Sequence, residues 1–257
     1  MHSAISSNLG FPRIGANREW KKALESFWAG GMAEAAFIEE LRRIRLASLQ
    51  LQKEKGIDLI PVNDFSLYDH MLDTATMLGL VPRRFAYDGG QVSLSTYYAM
   101  ARGTRDAAAC EMTKWFNTNY HYIVPELDDI RPALTVNRPL EAYREAKEHL
   151  GIEGKPVIVG LYTFLKLSKG YDAGRFPQLV QQLLPFYEQM LRELEQEGVR
   201  WVQIDEPSFV TGIAQEDIGI VREIYKRLHA AAPGLNIMLQ TYFDSVDAYP
   251  ELVRLPV

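Results

Sequence analysis

Residues 201–207, Trp-Val-Gln-Ile-Asp-Glu-Pro, decide the fold class because a short apolar run ends abruptly in charged residues. An amphipathic helical pattern precedes this run over residues 177–197, and another follows it over residues 216–232. A strand between two helices is the unit from which parallel sheets are built. The same alternation extends in both directions along the chain. Further strands are predicted at residues 8–13, 59–63, 112–122, 157–164 and 236–242, with 133–136 as a weaker candidate.

Helical spacing of apolar residues predicts three more helices, over residues 18–29, 33–55 and 139–150. Asn17 is expected to cap the first of them, and Gly30 with Gly31 is expected to end it in a left-handed turn. Residues 83–95 contain an Asp-Gly-Gly sequence, which indicates a loop or a small hairpin between units. The chain is therefore predicted to be an α/β protein.

The succession of strand–helix units indicates a (β/α)8 TIM-type barrel, because such barrels need about 250 residues and this chain has 257. A doubly wound open sheet is the alternative, but no glycine-rich phosphate loop follows any predicted strand. Eight strands close a barrel, whereas only six or seven are predicted here. We therefore expect a single domain over residues 1–257 that is a barrel truncated before its last strands.

Composition and charge exclude several classes of protein. The net charge is −5 and the isoelectric point is near 5.6, which argues against a broad nucleic-acid-binding surface. The single cysteine, Cys110, cannot form an intramolecular disulfide or a multi-thiolate metal site. The chain shows no signal peptide and no membrane-spanning apolar run. A cytoplasmic protein is expected.

Polar residues follow the predicted strands, at the end where barrel enzymes carry their active sites. Asn63 and Asp64 follow one strand, and Asp205 and Glu206 follow another. Adjacent residues on a strand point to opposite sides, so at most one of Asp205 and Glu206 faces the common site. Asp64 has a second interpretation, in which it caps, together with Ser66, a helix beginning near residue 67. No histidine is spaced for a metal site, and no metal or catalytic residue is predicted.

Basic residues at the start of the first predicted helix need an explanation. Arg18, Lys21 and Lys22 lie where the helix dipole disfavours cations by about 0.3–1 kcal/mol. A bound carboxylate or phosphate would explain them, with Arg18 and Lys21 on one side of the helix. The alternative is a solvated helix start in which Lys21 pairs with Glu25. Lys114 is a further candidate, because a lysine within an aromatic strand must reach solvent or a negative partner.

Several runs of the sequence resemble the N-terminal domain of cobalamin-independent methionine synthase. The opening residues 8–15, Asn-Leu-Gly-Phe-Pro-Arg-Ile-Gly, and residues 18–25, Arg-Glu-Trp-Lys-Lys-Ala-Leu-Glu, carry the resemblance first. It continues through residues 60–66, 111–122, 155–160, 163–167, 203–207 and 241–243. The similarity covers essentially the whole chain from residue 7 onward.

This resemblance implies a methyltransferase that moves a methyl group from 5-methyltetrahydropteroyltri-L-glutamate to homocysteine and so forms methionine. The family consists of two facing barrels, and this chain is similar to most of the first. The substrate-binding residues that the resemblance implies are Arg18, Glu19, Trp20, Lys21 and Lys114. It also implies zinc, without cobalamin, bound in a C-terminal barrel that this sequence does not contain.

Alone, the chain is therefore expected to bind the folate polyglutamate without catalysing methyl transfer, and its partner is expected to be the C-terminal barrel of the same enzyme. A non-catalytic scaffold barrel that docks a catalytic domain is the alternative. A self-contained hydrolase that uses Asp205 or Glu206 is a weaker third interpretation, because nothing in the sequence places its second carboxylate.

Overall fold

The computed structural model describes residues 4–257. Its strands are β1 (Pro61–Val62), β2 (Met112–Lys114), β3 (His121–Ile123), β4 (Lys155–Val159), β5 (Trp201–Asp205) and β6 (Asn236–Gln240). Its α-helices are α1 (Glu19–Trp28), α2 (Glu34–Glu54), α3 (His70–Met77), α4 (Leu94–Arg102), α5 (Arg138–Leu150), α6 (Leu161–Lys166), α7 (Phe176–Gln196), α8 (Asp217–Ala231) and α9 (Tyr249–Leu252). Short 3-10 turns occupy Arg83–Phe85, Ala173–Arg175 and Pro207–Thr211.

Four parallel strands form the main sheet in the order β1-β4-β5-β6. A parallel bridge between Ser7 and Leu59 adds the N-terminal segment to the free edge of β1. This order follows the chain without reversal, whereas a doubly wound sheet reverses its order at a switch point. The described residues therefore confirm a mixed α/β fold with a mostly parallel sheet.

Three of the predicted strands are wrong in extent or kind. Residues 8–13 form no strand, because only Ser7 pairs with the sheet. Residues 112–122 fold back on themselves as the antiparallel hairpin β2–β3. The strand predicted at 157–164 ends at Val159, and residues 161–166 form α6. The weak candidate at 133–136 contains no strand in the structure.

The long helices lie close to their predicted positions, but their caps differ. Gly30 has a φ of +74° and ends α1 in a left-handed turn, as predicted. Asn17 does not cap α1, since Arg18 occupies the cap position. Asp64 and Ser66 do not cap α3 either; the Asp69 carboxylate does so by accepting from the Leu72 N–H at 2.8 Å. Residues 83–95 contain a 3-10 turn and no hairpin.

The core forms where the amphipathic helices cover the sheet. Helix α7 buries Leu179, Leu183, Tyr187 and Leu194 at helical spacing on one side. A second cluster joins α1, α2 and α4 and includes the stacked rings of Phe27 and Phe37, whose centroids are 4.6 Å apart. Helix α1 is thus held by packing, so its N-terminal residues have a defined position. Among residues 4–257, the helices are too short or too polar to cross a membrane.

Candidate functional site

Lys114 lies at the end of β2, in a hairpin rather than in the sheet. Its register partner is His121, and the turn between them is closed by the Trp115 N–H donating to the Tyr120 carbonyl at 2.7 Å. Trp115 is buried, whereas Lys114 is exposed. The described residues contain no ion-pair partner for Lys114. The predicted aromatic strand is therefore corrected to a hairpin that presents the lysine to solvent.

The start of α1 presents the other predicted site residues. Arg18 is exposed and has a left-handed φ of 61°, which is uncommon for a residue with a side chain. Glu19 accepts from the Asn17 N–H at 2.9 Å, and backbone hydrogen bonds lower the pKa of Glu19. Lys21 pairs with Glu25 at 3.4 Å, as the solvated-helix interpretation predicted. Both side chains of that pair are about half exposed, so the ion pair is weak. A carboxylate of a ligand can therefore replace Glu25 as the partner of Lys21.

Arg13 connects the helix to the hairpin. Its guanidinium carbon lies 4.3 Å from the centroid of the Trp20 ring and 5.6 Å from that of Tyr120. One of its nitrogens, Nη1, also donates to the Ser66 hydroxyl and lies 3.5 Å from the Tyr120 hydroxyl. Arg13, Arg18, Lys21 and Lys114 are called the cationic surface below. Arg13 lay inside a family-like motif, but no spacing in the sequence indicated its role.

A cavity of about 400 Å³ lies beside this surface, at the carboxyl ends of β5 and β6. Aromatic side chains from the hairpin and from the segment after β6 form much of its wall, with one carboxylate among them. They are Trp115, Tyr120, Tyr122, Tyr242 and Phe243, and the carboxylate is that of Asp205. Asp205 at the end of β5 and Tyr242 after β6 thus line one cavity, whereas Asn63 and Asp64 are not among its lining residues.

Asp205 is the member of the Asp205–Glu206 pair that faces this cavity. It accepts from the Gln203 amide at 2.7 Å and lies 3.5 Å from the Tyr242 hydroxyl. Burial raises the pKa of Asp205 to about 6. The hydrogen bonds from Gln203 and Tyr242 therefore offset only part of the cost of burying this carboxylate.

Glu206 faces the opposite side and is fully buried. It accepts from the backbone N–H of Thr163 at 2.7 Å, from that of Tyr162 at 3.3 Å, and from the Tyr225 hydroxyl at 3.3 Å. Burial nevertheless raises the pKa of Glu206 to about 7. An added Cβ at Gly160 would lie 2.1 Å from the Glu206 carboxyl carbon, so only glycine fits there. Glu206 holds β5 to α6 and has no access to the cavity.

Lys155 occupies the interior beneath Asp205. Its ammonium group donates to Gln203 at 2.6 Å, to the Ser7 hydroxyl at 2.9 Å and to the Asn8 carbonyl at 3.1 Å. The side chain is 1% exposed, and burial lowers its pKa. Lys155 therefore ties the N-terminal segment to the sheet. Lys155, Gln203, Asp205 and Glu206 are called the strand-end interior below.

Two other groups near the strand ends have structural roles. Asp64 accepts from the Phe11 N–H at 2.7 Å, and burial raises its pKa to about 6. Asp69 joins α3 to the hairpin, because it also accepts from the Ile123 N–H at 2.9 Å. Within residues 4–257 the structure contains no group of three His, Cys, Asp or Glu side chains suited to a metal. These residues therefore do not fit a zinc site.

A larger depression, of about 820 Å³, lies next to α6 and α8, away from the predicted residues. The Lys166 ammonium in its wall is paired with Asp217 at 2.7 Å. Another depression, of about 510 Å³, lies between α2 and α5, where Arg45 is paired with Glu145 at 2.6 Å. Lys166 is thus neutralised in the first depression, and the second is lined by four carboxylates, Glu34, Asp73, Glu141 and Glu145, beside Arg45 and Arg138. Size alone therefore does not make either of them the better anion site.

The sequence matches the family model described as the cobalamin-independent synthase N-terminal domain over residues 5–257. The chain belongs to this family. This confirms the resemblance inferred from the motifs, although the roles assigned to Arg18, Glu19, Trp20, Lys21 and Lys114 stay predictions.

Curated relatives of this family member are named 5-methyltetrahydropteroyltriglutamate–homocysteine methyltransferase. The protein of Halalkalibacterium halodurans is 55% identical over 253 residues, which are 98% of this chain and 34% of the relative. That of Listeria innocua is 55% identical over 257 residues, covering 100% and 34%. That of Bacillus subtilis is 51% identical over 258 residues, also covering 100% and 34%. The chain thus spans about a third of the length of these relatives.

Proposed function

We propose that this chain is the N-terminal part of a 5-methyltetrahydropteroyltriglutamate–homocysteine methyltransferase, in which it binds the triglutamate tail of the folate. Arg18, Glu19, Trp20, Lys21 and Lys114 are the proposed contacts. The observation that carries the proposal is the cationic surface, in a chain 55% identical to relatives of that name. Most of its cations have no carboxylate partner within the described residues.

The chemistry of the substrate suits this surface. A triglutamate tail carries several carboxylates along an extended chain, and a guanidinium binds a carboxylate through two parallel hydrogen bonds. Lysine ammonium groups add point charges with flexible reach. Arg18 directly precedes α1 and Lys21 lies in its first turn, so both cations belong to the N-terminal end of this helix. Lys114 supplies a separate contact from the hairpin.

The remainder of the reaction is proposed to take place with residues outside this chain. Zinc, which would hold the homocysteine sulfur as a thiolate, is proposed to be bound by a C-terminal barrel of the same enzyme. The present sheet is proposed to be part of a (β/α)8 barrel, which the unreversed order β1-β4-β5-β6 supports. The cavity at the strand ends would then open toward that second barrel.

The affinity of the full-length protein for folates with different tails tests the proposal. Triglutamate folate should bind more tightly than monoglutamate folate, and the difference should shrink as salt screens the charges. Lys114→Ala should reduce the preference. Arg222→Ala is the matched control, because Arg222 is exposed on α8 and has no ion pair in the described chain. Equal binding of both folates by the unaltered protein would contradict the proposed site.

A scaffold function is a second candidate, favoured by the open edge of β6. Within residues 4–257, β6 pairs with β5 alone, and nearby Phe243, Tyr249 and Val253 are exposed. Unpaired strand edges promote association with other chains. A scaffold should associate in size-exclusion chromatography irrespective of added folate, whereas the folate-binding function requires a measurable response to triglutamate folate.

A further inference from the structure

Arg13 makes contacts with three separate segments. Its guanidinium lies over the Trp20 ring of α1 at 4.3 Å and over the Tyr120 ring of the hairpin at 5.6 Å. Its Nη1 donates to the hydroxyl of Ser66, a residue that is fully buried before α3. A flat guanidinium between two aromatic rings gains both stacking and cation–π attraction. Arg13 therefore links the start of α1, which core packing already holds, directly to the hairpin.

Ion pairing does not explain this arrangement. Arg45, Arg84 and Arg227 each reach a carboxylate at 2.6 Å. Arg13 reaches none in the described part of the chain, and its Nε and Nη2 atoms donate to no group there. The position of the side chain is thus determined by ring and hydroxyl contacts and not by an ion pair. Such a cation leaves the surface around it attractive to anions.

The link brings the other cations into a fixed arrangement. Lys21 follows Trp20 directly in α1, so contact with Trp20 restrains the helix turn that carries Lys21. Lys114 faces His121 in the hairpin ladder, next to Tyr120. Directly paired strand residues lie about 4.5–5.5 Å apart, so contact with Tyr120 restrains Lys114 in the same way. Arg13 therefore contacts both of the elements that carry the other cations of the cationic surface, α1 and the hairpin.

We propose that Arg13 is a positioning residue that fixes Lys21 of α1 at a set spacing from Lys114 of the hairpin and thereby selects a polyglutamate tail over a single glutamate. This inference rests on the proposed function. Once one carboxylate of the tail is bound at one half, binding of a second carboxylate at the other half is intramolecular. This raises the affinity only if the length of the tail matches the distance between the two halves. A single glutamate cannot bridge the two halves, so its affinity does not depend on the spacing.

The experiment compares full-length proteins carrying Arg13→Gln, Arg13→Lys or the control Arg222→Gln. Dissociation constants for triglutamate and monoglutamate folate are measured by titration, together with KM and kcat for the triglutamate. Arg13→Gln should weaken triglutamate binding about tenfold and monoglutamate binding less than about twofold, with KM raised and kcat kept. Arg13→Lys should show most of this loss, because an ammonium keeps the charge but cannot stack as a planar group. Arg222→Gln should change neither constant.

Other results would overturn the inference in distinguishable ways. If the unaltered protein prefers triglutamate and Arg13→Gln keeps that preference, Arg13 has no positioning role, although the proposed function stands. If Arg13→Gln weakens both folates equally, or Arg13→Lys restores full selectivity, the residue acts through stability or charge alone. If the unaltered protein shows no preference, the proposed site itself fails and the inference fails with it. Melting temperatures identify a variant that is merely unfolded, and Arg13→Lys then carries the test.

Discussion

The strand-end interior and the cationic surface differ in whether their charged side chains are buried and have partners. In the interior, Lys155 is 1% exposed and Glu206 is fully buried, and each makes at least three hydrogen bonds. On the surface, Arg18 and Lys114 are exposed and have no ion pair in the described chain. The buried groups therefore hold segments of the fold together, whereas the exposed cations are the ones proposed to bind a ligand. Charge alone does not mark a site; the presence or absence of a partner does.

Asp205 lies between these two extremes. It is bonded to Gln203 in the interior but faces the cavity, and burial raises its pKa to about 6. Phe243, which lines the same cavity, and Phe116, whose ring centroid lies 5.4 Å from that of Phe243, have positive φ values of 87° and 52°. Such conformations cost about 1–3 kcal/mol each and cluster at functional sites. The boundary between interior and surface is thus where the chain stores strain.

The largest effect on stability should come from removing the ammonium of the interior. Lys155→Met should lower the free energy of unfolding by about 3 kcal/mol, because Ser7, Asn8 and Gln203 lose their common donor. Lys226→Met, at an exposed position of α8, should change it by less than about 0.5 kcal/mol. Urea unfolding followed by circular dichroism measures both. If both variants changed the free energy of unfolding by a similar amount, the interior lysine would not be more important for stability than the surface lysine.

A methyl group next to Glu206 should have the next largest effect. Gly160→Ala should destabilise the protein by about 2 kcal/mol, because the new Cβ would overlap the Glu206 carboxyl group. Gly219→Ala is the matched control, since Gly219 lies within α8 and has open space around its Cβ position. Alanine is the better helix former, so the control should stabilise by about 1 kcal/mol. Thermal melting of both variants should therefore give shifts of opposite sign.

The pH dependence of stability should report on the same carboxyl group. The pKa of Glu206 is about 7 in the folded protein and 4.5 as the ordinary value, so the folded state retains a proton that the unfolded state releases between these pH values. Raising the pH through this window must therefore lower stability. Glu206→Gln should cost about 1 kcal/mol at pH 5, and its deficit relative to the unaltered protein should shrink toward pH 8. A constant deficit across that range would mean that Glu206 stays ionised throughout.

The smallest effect on stability is expected at the cationic surface. Arg18→Ala and Lys21→Ala should each change the free energy of unfolding by less than about 0.5 kcal/mol, because Arg18 is unpaired in the described chain and the Lys21–Glu25 pair is about half exposed. The same urea series measures them beside Lys155→Met. A loss above about 2 kcal/mol in either variant would show that these cations have a structural role.

Much of the fold could be predicted because it depends on local pattern. Helices α2, α5, α7 and α8 lie within one or two residues of their predicted bounds, since their apolar residues repeat at helical spacing. The hairpin at 112–123 was predicted as one strand because its turn has no glycine or proline, although Asn117 and Asn119 in that turn were a signal for it. Caps also failed, because Asp69 and not Asp64 reaches a free helix N–H, and only the backbone path decides which carboxylate does so.

The candidate site divides in the same way. The family motifs named Arg18, Glu19, Trp20, Lys21 and Lys114 without reference to any structure, but they gave no sign of Arg13. Its role depends on Trp20 and Tyr120, which are a hundred residues apart in the chain, both lying close to its guanidinium.

The sequence by itself determined the α/β class, the long helices, strands β5 and β6 and membership of the cobalamin-independent synthase family, because each depends on short-range periodicity or on motifs within one segment. Only the tertiary structure decided that Asp205 faces the cavity while Glu206 is buried, and that Lys155 is internal whereas Lys114 is exposed. Burial and hydrogen bonding arise from segments that are distant in sequence, so the chemical role of a charged residue depends on neighbours that its own segment does not contain.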